Sequence, residues 1–237
     1  MNLTDSVVLV TGANRGIGRA FTEAFLARGA RKVYAGARDP ASVRQPGVEA
    51  VRLDVTNAEQ VAAAAARLGD VTIVVNNAGI ALPGTILAAD SDELARRQLE
   101  VNFFGMLRVS RAFAPILAAH GGGALLNVLS IASWINGGSL ATYATTKSAA
   151  WSLTNALRNE LAGQGTQVTA LHMSFVDTDL VKGMDVPKSS PADIVGRALD
   201  GLADGLPEVL ADDFTQRVKR GLTAPVPSYL PQPPKAA

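Results

Sequence analysis

The run Ser6 to Thr11, SVVLVT, is apolar at consecutive positions rather than at alternate ones. A strand of that kind has no solvent face and has to be covered on both sides, as strands of a parallel sheet are. It stops at Gly12, and an amphipathic helical pattern follows to about Arg28, closed by Gly29. Comparable runs recur at 32–37, 48–53, 71–75, 125–130, 168–173 and 207–211, with helical stretches or loops between them. Strand alternating with helix from end to end predicts an α/β protein. Its parallel sheet of about seven strands is doubly wound, with helices on both faces, a three-layer αβα sandwich. With 237 residues the chain suits one large domain, 1–237, ending in a proline-rich tail at 222–237 that frays or lies along the surface.

Composition narrows the function classes. The formal net charge is +1 with no long run of one sign, so no nucleic acid or anionic membrane is expected as a partner. There is no cysteine, which removes disulfides, thiol nucleophiles and thiolate metal sites. The start, MNLTDSVVLVTG, lacks a signal-peptide pattern, and no apolar run nears the roughly 20 residues of a membrane span. A cytoplasmic protein is the resulting expectation.

The turn after the first run reads Thr11-Gly12-Ala13-Asn14-Arg15-Gly16-Ile17-Gly18. Strand, glycine-rich turn and helix together make a phosphate cradle, with backbone N–H groups of the helix N-terminus pointing at the anion. Taken alone, the pattern also fits a tight strand-to-helix turn with no ligand. The second run ends at Arg38, where an acid would bind the 2′-hydroxyl of NAD and an arginine pairs instead with the 2′-phosphate of NADP. Arg15 could reach the same phosphate. Asp39 precedes Pro40 and reads as a turn former. Both arginines also fit plain solvated charges, but together they favour NADP.

Further on, Tyr143 and Lys147 stand four residues apart, one turn on the same helix face. An ammonium beside a phenol favours phenolate, so Lys147 is expected to lower the Tyr143 pKa and make the tyrosine a proton donor near neutral pH. Ser130 ends the preceding apolar run and could hydrogen-bond the same substrate oxygen. Asn102, in VNFFG, is a poor helix-interior residue within the long helix expected from Asp90 or Ser91 to Ala119, and serves either a function or packing.

These segments occur together and in order, and on them the chain resembles the classical short-chain dehydrogenase/reductase family, of the NADP-preferring carbonyl reductase type. The resemblance rests on Thr11-Gly12-x-x-x-Gly16-Ile17-Gly18, Asp54-Val55, Asn76-Asn77-Ala78-Gly79, Asn102, and Ser130 placed 13 residues before Tyr143 with Lys147 behind it. It implies a Rossmann-type sheet and reversible hydride transfer between NADP(H) and a small-molecule ketone, aldehyde or alcohol. Tyr143 would be the general acid and Ser130 would orient the carbonyl. Lys147 would bind the ribose, and Asn102 would hold a water in the proton relay. Gly12, Asn14, Arg15, Gly16, Ile17, Gly18, Arg38, Asp54, Val55, Asn76, Ala78, Gly79, Tyr143, Lys147, Val176 and Thr178 would line the cofactor site. The family often forms homodimers or homotetramers, which is the expectation here.

One departure stands out: Met173-Ser174 occupies the place of the family's usual Pro-Gly turn. Leu82, Trp134, Ile135 and Met184 are candidates for the substrate pocket, each reading equally as core packing, and Met173 and Ser174 join them as the turn that shapes its floor. His172 reads as buried or pocket-lining, and Asp177 and Asp179 as loop caps, with no metal site expected. Two rivals remain: a non-catalytic NADP-binding redox-sensing regulator, which would bind NADPH tightly without turnover, and a sugar-nucleotide epimerase or dehydratase, which usually needs a larger C-terminal domain.

Overall fold

The computed structural model describes residues 1–230. In chain order the elements are β1 (Val7–Thr11), α1 (Gly16–Ala27), β2 (Lys32–Ala37), β3 (Glu49–Arg52), α2 (Ala58–Arg67), β4 (Ile73–Asn76), α3 (Ser91–Leu99), α4 (Met106–Ala119), β5 (Ala124–Val128), α5 (Ala141–Glu160), β6 (Gln167–His172), α6 (Pro191–Ala203), β7 (Glu208–Leu210) and α7 (Asp213–Gly221). The strands form one seven-stranded sheet in the order β3-β2-β1-β4-β5-β6-β7, every neighbouring pair parallel. This is the expected Rossmann-type αβα fold.

Strand β1 shows why both faces are covered. Val8 and Val10 enter one core with Phe21, Phe25, Ile194 and Ala198 from α1 and α6. Val7 and Leu9 enter the other with Val61, Val109, Phe113 and Leu157 from α2, α4 and α5. Phe21 and Phe25 are fully buried, and each such side chain contributes on the order of 1.5–3 kcal/mol relative to exposure. The strand order reverses between β1 and β4. That switch point opens a crevice at the carboxyl ends of the strands, where a doubly wound sheet takes its ligand.

The helix anticipated from Asp90 or Ser91 to Ala119 is present, running from α3 through a π-helical turn, Glu100–Gly105, into α4 with αR backbone at both junctions. Gly105 is needed in that turn: a Cβ there would lie 2.6 Å from Val55 Cγ2. Between β7 and the tail the chain forms a further helix, α7. Asp212 caps α7, accepting from the Thr215 N–H at 2.8 Å, and Ser228 N–H returns to the Gly221 carbonyl at 2.9 Å. The tail thus turns back onto the end of α7 over 222–230, and its remainder, 231–237, lies outside the described residues.

Candidate active site

The glycine turn is shaped by close backbone packing. Gly12 (φ 64°) and Gly16 (φ 54°) take left-handed conformations. Gly18 has an ordinary helical backbone, yet a Cβ there would lie 2.2 Å from the Gly12 carbonyl oxygen and 2.6 Å from Asn77 Nδ2. Asn77 is the clamp. Its Nδ2 donates to the carbonyls of Thr11 at 2.9 Å and Gly12 at 3.1 Å, while its N–H and that of Ala78 donate to Thr11 Oγ1, each at 3.0 Å. The end of β4 is thereby stitched to the end of β1 under the turn.

Above it lies a cleft of about 480 Å³, lined by Gly12, Asn14, Arg15, Gly16, Ile17 and Gly18, by Arg38, Asp54 and Val55, by Ala78 and Gly79, and by Val176 and Thr178. Tyr143 and Lys147 line it too. Asn76 does not. It is 4% exposed, and its Nδ2 donates to Asn127 Oδ1 at 2.8 Å and Ser110 Oγ at 3.0 Å, so it joins β4 to β5 and α4 inside the protein. Its neighbour Asn77 lines the cleft instead.

Arg38 is exposed at the cleft edge, and among the described residues no carboxylate forms an ion pair with it. Asp39 also lines the cleft, its carboxylate accepting from the Ala41 N–H at 3.1 Å as the cap of a short 3-10 turn. Arg15 pairs with Asp179 Oδ2 at 3.0 Å, and this exposed pair links the glycine turn to the loop after β6.

Ser130 follows β5 and caps a 3-10 turn, Ile131–Ser133. Its Oγ accepts the Ala132 N–H at 3.1 Å, which leaves the hydroxyl proton free to point elsewhere. Tyr143 and Lys147 lie on α5. Lys147 Nζ donates to the Val128 carbonyl at 2.9 Å and lies 5.8 Å from the Tyr143 ring centroid.

The expected lowering of the phenol pKa by Lys147 is corrected. Tyr143 keeps part of its surface open, but loss of water around the phenol pushes its pKa up to about 12, opposed by a hydrogen bond with Ser130. Burial also pulls Lys147 down to about 8. The unfolded chain therefore binds one more proton than the folded chain between about pH 8 and the ordinary lysine value of 10.5. The cost of burying the ammonium is complete below about 8 and recedes as pH rises through that window. Wild type should thus gain stability relative to Lys147→Met on going from about pH 8 to about pH 10.5. Denaturant midpoints of the two proteins across that range test it, and a constant difference would contradict it.

Asn102, 1% exposed, does not line the cleft. Its Oδ1 accepts the Ile80 N–H, and its Nδ2 donates to the Ile80 carbonyl and Thr146 Oγ1, all at 2.9 Å. The side chain braces the loop after β4 against α5, one residue from Lys147. Gly79 sits against both: a Cβ there would lie 3.3 Å from Asn102 Oδ1 and 3.9 Å from Lys147 Nζ.

A second cavity, about 280 Å³, meets the cleft at Ser130, Tyr143 and Ser174. Ile135, Ser174 and Met184 line it as expected, together with Ala81, Ile131, Leu140, Phe175 and Val181, which the sequence reading missed. Met173 lines the cleft instead. Leu82 and Trp134 line neither cavity. The Leu82 N–H is held by Gln98 Oε1 at 2.8 Å, and the Trp134 ring stacks on His172 with centroids 3.9 Å apart. The Met173-Ser174 turn is fixed by two bonds: the Met173 carbonyl accepts the Ile131 N–H at 2.9 Å, and Ser174 N–H donates to Asp212 Oδ2 at 2.8 Å.

Among known proteins, residues 6–188 match the family described as short chain dehydrogenase. A short chain dehydrogenase from Burkholderia cenocepacia, crystallised in complex with NADP, superposes with a TM-score of 0.91 at 40% identity, covering 95% of each chain. Galactitol 2-dehydrogenase (L-tagatose-forming) of Cereibacter sphaeroides is 39% identical over 193 residues, 77% of this chain and 76% of that protein. The probable oxidoreductase EphD of Mycobacterium tuberculosis is 35% identical over 237 residues, 91% of this chain but 40% of that protein, so this chain spans about two fifths of that relative's length. The chain belongs to the short-chain dehydrogenase family, a family of oxidoreductases.

Proposed function

We propose that the protein uses NADPH to reduce an uncharged, largely apolar ketone or aldehyde to the alcohol, reversibly. The observation that carries this reading is the seam between the two cavities. Ser130 and Tyr143 lie where the glycine-floored cleft meets a cavity whose lining holds no charged side chain. A substrate carboxylate or phosphate placed there would lose water without gaining a counter-charge.

The cleft fits a dinucleotide. Its floor has glycines where a Cβ would strike backbone, and its edge carries Arg38, which forms no ion pair among the described residues. The glycine turn would hold the pyrophosphate, Arg38 with Arg15 the 2′-phosphate, Asp54 and Val55 the adenine, and Lys147 the ribose. The NADP complex of the Burkholderia cenocepacia relative supports the choice of cofactor. Bound NADPH supplies the hydride.

The chain's own residues then manage the oxygen. Ser130 Oγ accepts from Ala132 N–H and shares a hydrogen bond with Tyr143, so the two hydroxyls stand together to meet the substrate carbonyl. Tyr143, a protonated phenol well past neutral pH, is the acid that delivers the proton as negative charge grows on that oxygen. Lys147 contributes positive charge beside it, and Asn102 keeps the loop after β4 and α5 in register.

Steady-state assays with a panel of ketones and aldehydes and both NADPH and NADH test the proposal. Folded protein that turns over none of them would sink it. Replacing Arg38 by Asp should raise the Kd for NADPH by about 10-fold or more, since a hydrogen bond to a charged group is worth roughly 1.5–3 kcal/mol. NADH binding should hold or improve. An unchanged NADPH-to-NADH preference would remove Arg38 from the phosphate site.

A further inference from the structure

Beside Ser130, outside both cavities, lies a buried polar cluster that the reaction described above does not use. His172 closes β6 and is 0% exposed. Its Nδ1 is 3.0 Å from the Ser130 carbonyl oxygen. One face of the ring stacks on Trp134 at 3.9 Å and 22°. Its Nε2 has no hydrogen-bond partner among the described residues, and Glu208 Oε1 is 3.5 Å away, already held by Lys219 Nζ at 2.9 Å. Lys219, on α7, also lies 4.5 Å over the Trp134 ring.

The proton on this imidazole can be placed by chemistry. A carbonyl oxygen only accepts, so the nitrogen facing Ser130 carries the hydrogen. Burial drives the histidine pKa down to about 3, the Lys219, Lys147 and Arg158 charges adding to it and the Ser130 bond opposing. The ring is therefore neutral with one proton, on Nδ1. Nε2 is left without a proton, in keeping with the absence of a hydrogen bond to Glu208 Oε1 at 3.5 Å.

A buried polar atom without a partner costs about 1–3 kcal/mol, a cost that an apolar side chain would not carry. What the imidazole supplies in return is the bond to Ser130. The main chain on either side is already tied: Leu129 N–H donates to the Leu171 carbonyl at 2.8 Å and Ile131 N–H to the Met173 carbonyl at 2.9 Å. The Ser130 carbonyl between them accepts two bonds, from the Ser133 N–H at 3.0 Å within the 3-10 turn and from the His172 side chain at 3.0 Å, the second of which anchors it to β6. It lies on an extended residue, φ −168° and ψ 164°, whose orientation aims the hydroxyl.

We infer that His172 is a positioning residue, whose Nδ1–H fixes the Ser130 main chain and so holds the Ser130 hydroxyl at the seam where the carbonyl is reduced. Through Lys219, which lies over the Trp134 ring stacked on the imidazole, α7 forms the outer layer of this support. The inference rests on the proposed role of Ser130 in orienting the substrate carbonyl.

The test pairs His172→Leu, which removes the donor, with His172→Asn, which keeps an N–H donor at the place of Nδ1. Both lose the aromatic stack on Trp134, so the difference between them reports the donor. His172→Leu should lower kcat by roughly 10- to 100-fold, the scale of a small misplacement of a reacting group, with the Kd for NADPH within about two-fold of wild type. His172→Asn should recover most of that kcat. Equal losses in the two variants, or none in Leu, would overturn the inference.

The ¹⁵N spectrum of the wild-type imidazoles gives a reading that needs neither variant to be active. The chain has 2 histidines, His120 and His172, and the spectrum of His172→Leu, which retains His120 alone, assigns the signals. His172 should show its proton on Nδ1 from about pH 6 to about pH 9, and a proton on Nε2 would refute the inference. Separately, an active Ser130→Ala variant, or wild type without turnover on any carbonyl, would strike the proposed function. The spectrum would still report the Nδ1 bond on its own.

Discussion

Tyr143→Phe should lower kcat for carbonyl reduction by roughly 10²- to 10⁴-fold, the range that a positioned general acid contributes. The ring is retained, so the packing of α5 against the cleft and the Lys147 bond to the Val128 carbonyl should survive. The Kd for NADPH, read by fluorescence titration, should stay within about two-fold. The direction of the pKa shift adds a second check. With the phenol pushed up to about 12, Tyr143 keeps its proton throughout the neutral range and is ready to act as an acid. Reduction by the free enzyme should therefore show no loss from phenol ionisation until strongly alkaline pH. Alcohol oxidation, which needs the phenol to accept a proton, should lag near neutrality and rise with pH. A Phe variant with wild-type kcat, or an oxidation rate already at its plateau near pH 7, would take the acid role from Tyr143.

How much of this was readable in the sequence depends on where the physical signal was local. Strand β2 has the anticipated bounds, Lys32–Ala37, because punctuation, Arg38-Asp39-Pro40, sits at its end. The glycine turn was legible for a similar reason, since glycine is the residue that such close approach demands. Which of Asn76 and Asn77 faces the cleft was not. It depends on β4 ending at Asn76, so that Asn76 stays inside the sheet and Asn77 turns to meet Thr11.

Trp134 and His172 were misjudged or left open because their contacts are tertiary. A 3-10 turn sends the indole toward His172 and α7, and no periodicity reports that. The mutual effect of Tyr143 and Lys147 was misread through spacing alone. Sharing a helix face brings two groups near each other, but burial then acted more strongly on both than either charge did. Helix α7 did carry signals, with Asp212 and Asp213 at its start and Lys219 and Arg220 at its end, and could have been found from them.

Gly18→Ala is the substitution expected to damage the cleft most, and the reasons for and against it can be weighed. Gly18 has helical backbone in the first turn of α1, so alanine should favour the helix there by about 1 kcal/mol. Against this, the new methyl would lie 2.2 Å from the Gly12 carbonyl oxygen and 2.6 Å from Asn77 Nδ2. The first obstacle is backbone, in a strand end clamped by Asn77, and cannot rotate away. To make room, α1 has to lift from β1 or the Asn77 bonds have to break. Forcing extra volume into a packed site costs roughly 1–3 kcal/mol, occasionally more, so sterics should win.

Both ways of yielding disturb the turn that the pyrophosphate would meet. The Kd for NADPH should rise at least about 100-fold, with Tm falling by several degrees at roughly 2–4 °C per kcal/mol for a chain of this size. Gly196→Ala separates sterics from propensity. Gly196 lies inside α6, a Cβ there meets nothing within 4 Å, and alanine should raise Tm by about 2–4 °C with NADPH binding unchanged. If Gly18→Ala behaved like Gly196→Ala, close packing of α1 on Gly12 would not be what shapes the cleft. Opposite signs of ΔTm, with binding lost in Gly18→Ala alone, are the expected result.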